Sequence, residues 1–278
     1  MKKWILCLLC ALLVCTAAFA EDEEISLEDT AGIIIEEITY DDVPWIFPVD
    51  IFDMNPTYIV LANKQVLLDE DFVPEDLVTM KTRKENKAGE NTNGGVLKAS
   101  SSEMQLAKVC AEALVEMSEA AMQDGYKLYL KSAYRSYRTQ KTMYYNRLEK
   151  NNGKDDGWVA KPGSSDHQTG LGCDVVPRSW RDKSMNEKMG KEPECQWMAE
   201  NCHRFGFILR YPSDKEDVTE INYEPWHMRY VGIPAATYIM ENGLTLEEFH
   251  EELKTAIDLF LESGGNPALV QDFLPLFE

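Results

Sequence analysis

Two short runs limit what this 278-residue chain can fold into more than any other feature: Ser165-Asp166-His167-Gln168-Thr169-Gly170-Leu171-Gly172-Cys173-Asp174 and Glu224-Pro225-Trp226-His227. Together they supply two imidazoles, one carboxylate ligand and one spare carboxylate, the inventory of a catalytic zinc site. A hydrolytic zinc takes three protein ligands and leaves its fourth position to water, while a separate carboxylate accepts the water's proton. His167, Asp174 and His227 are the candidate ligands and Glu224 the candidate base. His167 and Asp174 stand seven residues apart, too far for adjacent turns of a helix and suited to a loop that feeds a strand, with the intervening glycines allowing a sharp path. Glu224 and His227 are three apart, a spacing that sends side chains to opposite faces of an extended segment. Pro225 is therefore expected at a turn or bulge that brings both to one side.

The rest of the chain alternates irregularly between the two periodicities. Residues 58–61 read as a first strand and 69–76 as an acidic surface loop. Ser100 with Glu103, or Ser102 with Gln105, can form a capping box for a helix whose apolar positions Leu106, Val109, Cys110, Ala113, Leu114, Met117 and Ala121 recur at helical spacing up to Gly125. Residues 126–132 alternate as a half-buried strand does and deliver Tyr134 and Arg135 to its end. Ser136 is a candidate N-cap for a helix through Leu148 that sets Gln140 and Tyr144 on one face. Residues 173–176 read as a strand ended by Pro177, 194–205 as a helix, 207–209 and 226–231 as strands. Thr245 and Glu248 form a second capping box for a helix to about Glu262, and Asn266-Pro267 opens a last helix carrying Leu269, Val270, Phe273 and Leu274. Such irregular ordering fits α+β rather than a parallel α/β sheet.

Residues 1–20 combine Lys2 and Lys3, an apolar run and Ala18-Phe19-Ala20, the pattern of a cleaved secretory signal. The run is short for a membrane span, so no stable span is expected after cleavage. Lipidation at Cys15 is the alternative, against which bulky Val14 stands. Cleavage would remove two lysines and no acids, moving the net charge from −20 to −22, so nucleic acid is not an expected partner. Cys7, Cys10 and Cys15 leave with the signal; Cys110, Cys173, Cys195 and Cys202 remain and are expected as buried free thiols. If one helix holds both Cys195 and Cys202, they stand about 10 Å apart along its axis, beyond disulfide reach. The expected organisation is a signal at 1–20, an acidic leader at 21–55, a catalytic domain at 56–250 and a C-terminal helical extension at 251–278.

At the motif residues the chain resembles the zinc D-alanyl-D-alanine carboxypeptidases of the VanY type, whose wider group includes L,D-carboxypeptidases and D,D-dipeptidases. The family pattern is Ser-x-His, two residues, Gly-x-Ala-x-Asp, then Glu-x-x-His within Glu-Pro-Trp-His. Every ligand position is matched; Gly172 stands where the family usually has Ala, a change expected to loosen the sheet slightly. Further matches are Ser132-Ala133-Tyr134-Arg135-Ser136 followed by Gln140, residues 201–212, and Arg229-Tyr230-Val231-Gly232, so the resemblance covers most of 56–248. It implies a hedgehog/D,D-peptidase-like domain, a small mainly antiparallel sheet flanked by helices. It also implies an exported enzyme that uses Zn2+ to remove a C-terminal D-alanine from peptidoglycan stem peptides. A product with a free carboxylate needs a cation and polar donors, for which Arg135, Gln140 and Ser165 are the candidates, and the family's Tyr-Arg-Ser-x-x-x-Gln positions point the same way. Arg135 either holds the terminal carboxylate or stabilises the developing oxyanion. Trp226 is a packing wall or a substrate contact. The alternatives are an L,D-carboxypeptidase, a D,D-dipeptidase, and a wall-binding zinc module without turnover.

Overall fold

A computed structural model describes residues 43–80 and 96–278. The signal segment, residues 21–42 of the leader, and Cys7, Cys10 and Cys15 lie outside the described residues. In chain order the elements are β1 (Leu77–Thr79), β2 (Lys98–Ala99), β3 (Gln105–Ala107), α1 (Lys108–Gln123), β4 (Leu128–Ser132), α2 (Tyr137–Lys150), β5 (Gly172–Pro177) and α3 (Pro193–Asn201). There follow β6 (Phe207–Leu209), α4 (Glu216–Thr219), β7 (His227–Tyr230), α5 (Ile233–Asn242) and α6 (Leu246–Glu262). Five strands form one sheet in the order β2-β4-β5-β7-β6, antiparallel except for the β2–β4 pair, while β1 and β3 form a separate antiparallel pair. The architecture is the α+β class with a small, mainly antiparallel sheet flanked by helices.

The pleat of the central strands decides which side chains reach the core. Cys173 and Val175 of β5, with Met228 and Tyr230 of β7, join one apolar cluster with Leu114 and Met117 of α1 and Met198 of α3. Their alternate neighbours Asp174, His227 and Arg229 therefore point to the opposite face. Phe207 and the adjacent Ile208 fall in different clusters for the same reason. The second cluster gathers Ile208 and Val231 with Ile239 of α5, Phe249 and Leu253 of α6, Val49 and Ile51 near the start of the described chain, and Val270 and Phe273 near its end. Trp45 seats this early segment, donating from Nε1 to Val49 O at 2.8 Å and meeting Phe260 edge-on at 5.8 Å.

Four local expectations are corrected. Residues 58–61 form no strand: a 3-10 turn covers Pro56–Tyr58, and the Tyr58 and Val60 carbonyls accept from Arg229 Nη2 at 3.0 and 2.6 Å rather than from a neighbouring strand. Neither capping box near Ser100 starts α1, because Gln105–Ala107 is held as β3 by β1. The helix starts at Lys108, whose amide donates to the Asp76 carbonyl and to Asp76 Oδ2, both at 3.1 Å. The helix expected over 194–205 ends at Asn201 and tightens into a 3-10 turn, Cys202–Phe205, before Gly206. The last helix is instead two 3-10 turns, Pro267–Leu269 and Leu274–Phe277, since Pro275 would break a continuous ladder. The caps at Ser136 and Thr245 form as expected, the second as a full capping box. Cys110, Cys173, Cys195 and Cys202 are all free and buried.

Candidate active site

Asp174 on β5 and His227 on β7 are directly opposite in the antiparallel ladder, which is what brings residues 53 positions apart into contact, His227 Nδ1 to Asp174 Oδ1 at 3.1 Å. His167 comes from a 3-10 turn, Asp166–Thr169, that leads into β5 and ends at Gly170 in the left-handed region (φ 69°). A Cβ on Gly170 would lie 3.1 Å from the Ala107 amide nitrogen, so the turn needs glycine for its direction and for its fit. The turn is tied to the end of β4 twice: Arg135 N donates to His167 O at 3.0 Å, and His167 Nδ1 meets Ala133 O at 2.8 Å. Pro225 marks the expected turn, closed by His227 N donating to Glu224 O at 3.0 Å, and it sets Glu224 Oε2 3.6 Å from His227 Nδ1.

One ligand atom from each of His167, Asp174 and His227 lies within 4.8 Å of the others, and all three side chains are buried. Two imidazoles and one carboxylate form a donor set that zinc accepts. The Ala133 carbonyl takes the Nδ1 proton of His167 and leaves its Nε2 lone pair toward Asp174, 3.4 Å away, the arrangement by which metal-binding histidines are held in one tautomer. The residues present fit a metal ion. Burial and the neighbouring Arg135 lower the His167 pKa, which keeps the imidazole neutral. Burial would raise Asp174, but the two histidines outweigh it and hold its carboxyl below the ordinary range. Glu224 behaves oppositely: burial pushes its carboxyl well above the ordinary range, the Asp174 charge adds to the rise, and Arg135 opposes it.

A cavity of about 410 Å³ opens over these groups and is lined by all eight residues expected at the site. Arg135 projects from the end of β4, its fork fixed by two acceptors, Gln140 Oε1 at 2.8 Å and Ser132 Oγ at 3.0 Å. Gln140 is buried, and its other end donates to Ala160 O at 2.6 Å. Both ends of the Gln140 amide are thus engaged within the protein, one of them on the Arg135 fork. Ser165 lines the cavity, and its side chain makes no capping hydrogen bond to the His167 turn that it precedes. Trp226 is buried and stacks on Trp158 at 6.4 Å between centroids and 15° between planes, forming one wall. Gly172 pairs with Arg229 in the β5–β7 ladder, and a Cβ there would meet Asp166 Cβ at 2.7 Å, so the missing side chain lets the His167 turn press onto β5.

Three contributors were not singled out from the sequence. Tyr211 lines the cavity, its ring 4.9 Å from that of His227; the Arg210-Tyr211-Pro212 run marked the segment without giving it a role. Trp158 sits in a stretch with no motif. Asp166 lies inside the His167 motif, fully buried, with Arg210 Nε donating to its Oδ2 at 2.8 Å and Arg229 Nη1 to its Oδ1.

Residues 103–233, which span Arg135, Glu224 and the three candidate ligands, match the family described as VanY: D-alanyl-D-alanine carboxypeptidase. The chain is 35% identical over 236 residues to YodJ of Bacillus subtilis (strain 168), which carries a carboxypeptidase name, covering 84% of this chain and 81% of that one. It is 33% identical to a D-alanyl-D-alanine carboxypeptidase of Enterococcus faecium over 74% of this chain and 62% of the relative. Among solved structures, the LD-carboxypeptidase LdcB is similar at 40% identity and TM-score 0.59, over 71% of this chain and 87% of LdcB. A variant of the vancomycin-resistance D,D-pentapeptidase VanY in complex with Zn(II) is similar at 30% identity and TM-score 0.53, over 69% of this chain and 98% of that one. Identity of this order over most of both chains, joined to a family match that contains the whole candidate site, shows that the chain belongs to the VanY family of carboxypeptidases.

Proposed function

We propose that this protein is an exported zinc carboxypeptidase that hydrolyses the C-terminal D-alanine from peptidoglycan stem peptides. The observation that carries the proposal is the convergence of His167, Asp174 and His227 at the base of one cavity that also holds Glu224 and Arg135. A zinc ion held by those three residues supplies Lewis acidity toward a water and a peptide carbonyl. Glu224 Oε2, beside the ligand trio, takes the proton of the attacking water and returns it to the departing amine. Burial keeps its pKa above that of an ordinary carboxylate, which suits a group that must both accept and release a proton near neutral pH. Arg135, oriented by Gln140 and Ser132, pairs with the terminal carboxylate of the substrate or with the oxygen on which charge develops. Ser165 offers its hydroxyl to the same end of the peptide, and the Trp158–Trp226 stack walls the cavity.

Removal of a D-residue after an L-centre is the second reading, favoured by the 40% identity to LdcB, an LD-carboxypeptidase. Export is supported by the pattern of residues 1–20 and by the peptidoglycan recognition described for LdcB; no helix among the described residues is long and apolar enough to cross a membrane. Mass spectrometry of pentapeptide and tetrapeptide stems, after incubation with the zinc-loaded protein and with a chelated control, tests the proposal. Chelator-sensitive loss of one alanine from the pentapeptide alone supports the D,D-reading, and loss from the tetrapeptide moves the assignment to L,D-specificity. No cleavage of either peptide by the zinc-loaded protein overturns both.

A further inference from the structure

The two histidines of the site are held in different ways. His167 has its Nδ1 on the Ala133 carbonyl and turns Nε2 to Asp174. His227 is reversed: Nδ1 faces Asp174 Oδ1 at 3.1 Å and Glu224 Oε2 at 3.6 Å, while Nε2 points away and is a buried nitrogen with no hydrogen-bond partner among the described residues. The carboxylate in front of that nitrogen is Asp166, with Oδ2 at 3.8 Å. Asp166 is itself immobilised. Arg210 and Arg229 each donate to one of its oxygens, Glu247 at the start of α6 holds Arg210 through Oε2 at 2.7 Å and Oε1 at 2.6 Å, and the Tyr58 and Val60 carbonyls hold Arg229. None of Asp166, Arg210, Arg229 and Glu247 lines the catalytic cavity.

A neutral imidazole carries one proton, and its position decides which nitrogen can serve as a ligand. A proton on Nδ1 would occupy the side where Asp174 and His167 converge and would aim the Nε2 lone pair at a carboxylate. With the proton on Nε2, an N–H dipole faces Asp166 and the lone pair faces the ligand trio. We propose that Asp166 is a positioning residue that accepts the Nε2 proton of His227, fixes its tautomer, and turns Nδ1 into the metal ligand. The two histidines then bind through opposite nitrogens, one set by a backbone carbonyl and the other by a carboxylate anchored to two arginines. This inference rests on the metal-site reading above and adds the device that orients one ligand.

The test uses the full chain labelled with 15N-histidine and loaded with 113Cd in place of zinc, with its four histidines assigned through single substitutions. The expected result is cadmium coupling to Nδ1 of His227 and to Nε2 of His167, with a slowly exchanging proton on His227 Nε2. Coupling to His227 Nε2 would overturn the proposal while leaving the metal site standing; no coupling to either histidine would overturn the metal-site reading itself and the proposal with it. Independently, Asp166→Asn is expected to weaken zinc binding about 10- to 100-fold in a chelator competition. A folded Asp166→Asn protein that binds zinc within about twofold of the parent would refute the role. Because that variant leaves two buried arginines without their carboxylate, the cadmium spectrum of the unsubstituted protein decides the question if it fails to fold.

Discussion

Replacing Gln140 by leucine separates a residue that touches substrate from one that aims another residue. Gln140 is 1% exposed, and its amide joins Arg135 Nη1 at 2.8 Å to Ala160 O at 2.6 Å. A hydrogen bond to a charged partner contributes about 1.5–3 kcal/mol, so losing the Arg135 contact corresponds to about a 10- to 150-fold loss if that contact is needed in the transition state. The Ala160 carbonyl loses its donor as well, a cost of about 1–3 kcal/mol that lowers Tm by roughly 2–12 °C for a domain of this size. The assay is a double-mutant cycle in kcat/KM on a stem peptide with Gln140→Leu, Arg135→Lys and the double variant. If Gln140 acts through the arginine fork, its substitution costs at least tenfold beside Arg135 and less than about threefold beside lysine, a coupling of the size seen for contacting residues. Equal costs in both backgrounds would show that Gln140 acts independently of Arg135, by direct contact with substrate.

Other consequences can be measured without substrate. His250 of α6 is buried against the Ile59 carbonyl, and burial, with Arg229 and Arg210 nearby, lowers its pKa to about 4 from 6.5. Its folded pKa lies below the unfolded one, so it contributes stability above pH 6.5 that is lost as the pH falls toward 4; the loss amounts to about 3 kcal/mol. Urea titrations across that range should show the decline and a flatter profile for His250→Gln; parallel profiles would contradict it. Gly172→Ala places a Cβ 2.7 Å from Asp166 Cβ and 2.8 Å from its carbonyl carbon, an overpacking expected to cost about 1–3 kcal/mol and to weaken metal binding by displacing the His167 turn. Stability and zinc affinity both unchanged would show that the turn has room to spare.

The candidate ligands His167, Asp174 and His227 and the candidate base Glu224 were legible in the sequence because their chemistry is local: each sits in a short run whose turn residues, Gly170 and Pro225, fix the path. Capping at Ser136 and Thr245 was legible for the same reason, since a cap is decided within four residues. What the sequence hid depends on long-range partners. The 58–61 segment has the apolar character of a strand, yet its carbonyls are claimed by Arg229, about 170 residues away. The helix after β3 is capped by Asp76 from 32 residues upstream, which no local pattern announces. Asp166 looks like an ordinary polar residue beside a ligand until Arg210 and Arg229 are seen to enclose it. One wall of the cavity is likewise assembled from afar, by Trp158 stacking on Trp226.

Glu224→Gln, measured side by side for zinc content and for release of C-terminal alanine, separates metal binding from proton transfer at the site. The expected result is one zinc per chain, as in the parent, with turnover reduced by about 10²- to 10⁴-fold, the range associated with a positioned acid–base group. A Glu224→Gln protein that retains zinc and near-full turnover would rule out Glu224 as the base of a metal-dependent hydrolysis.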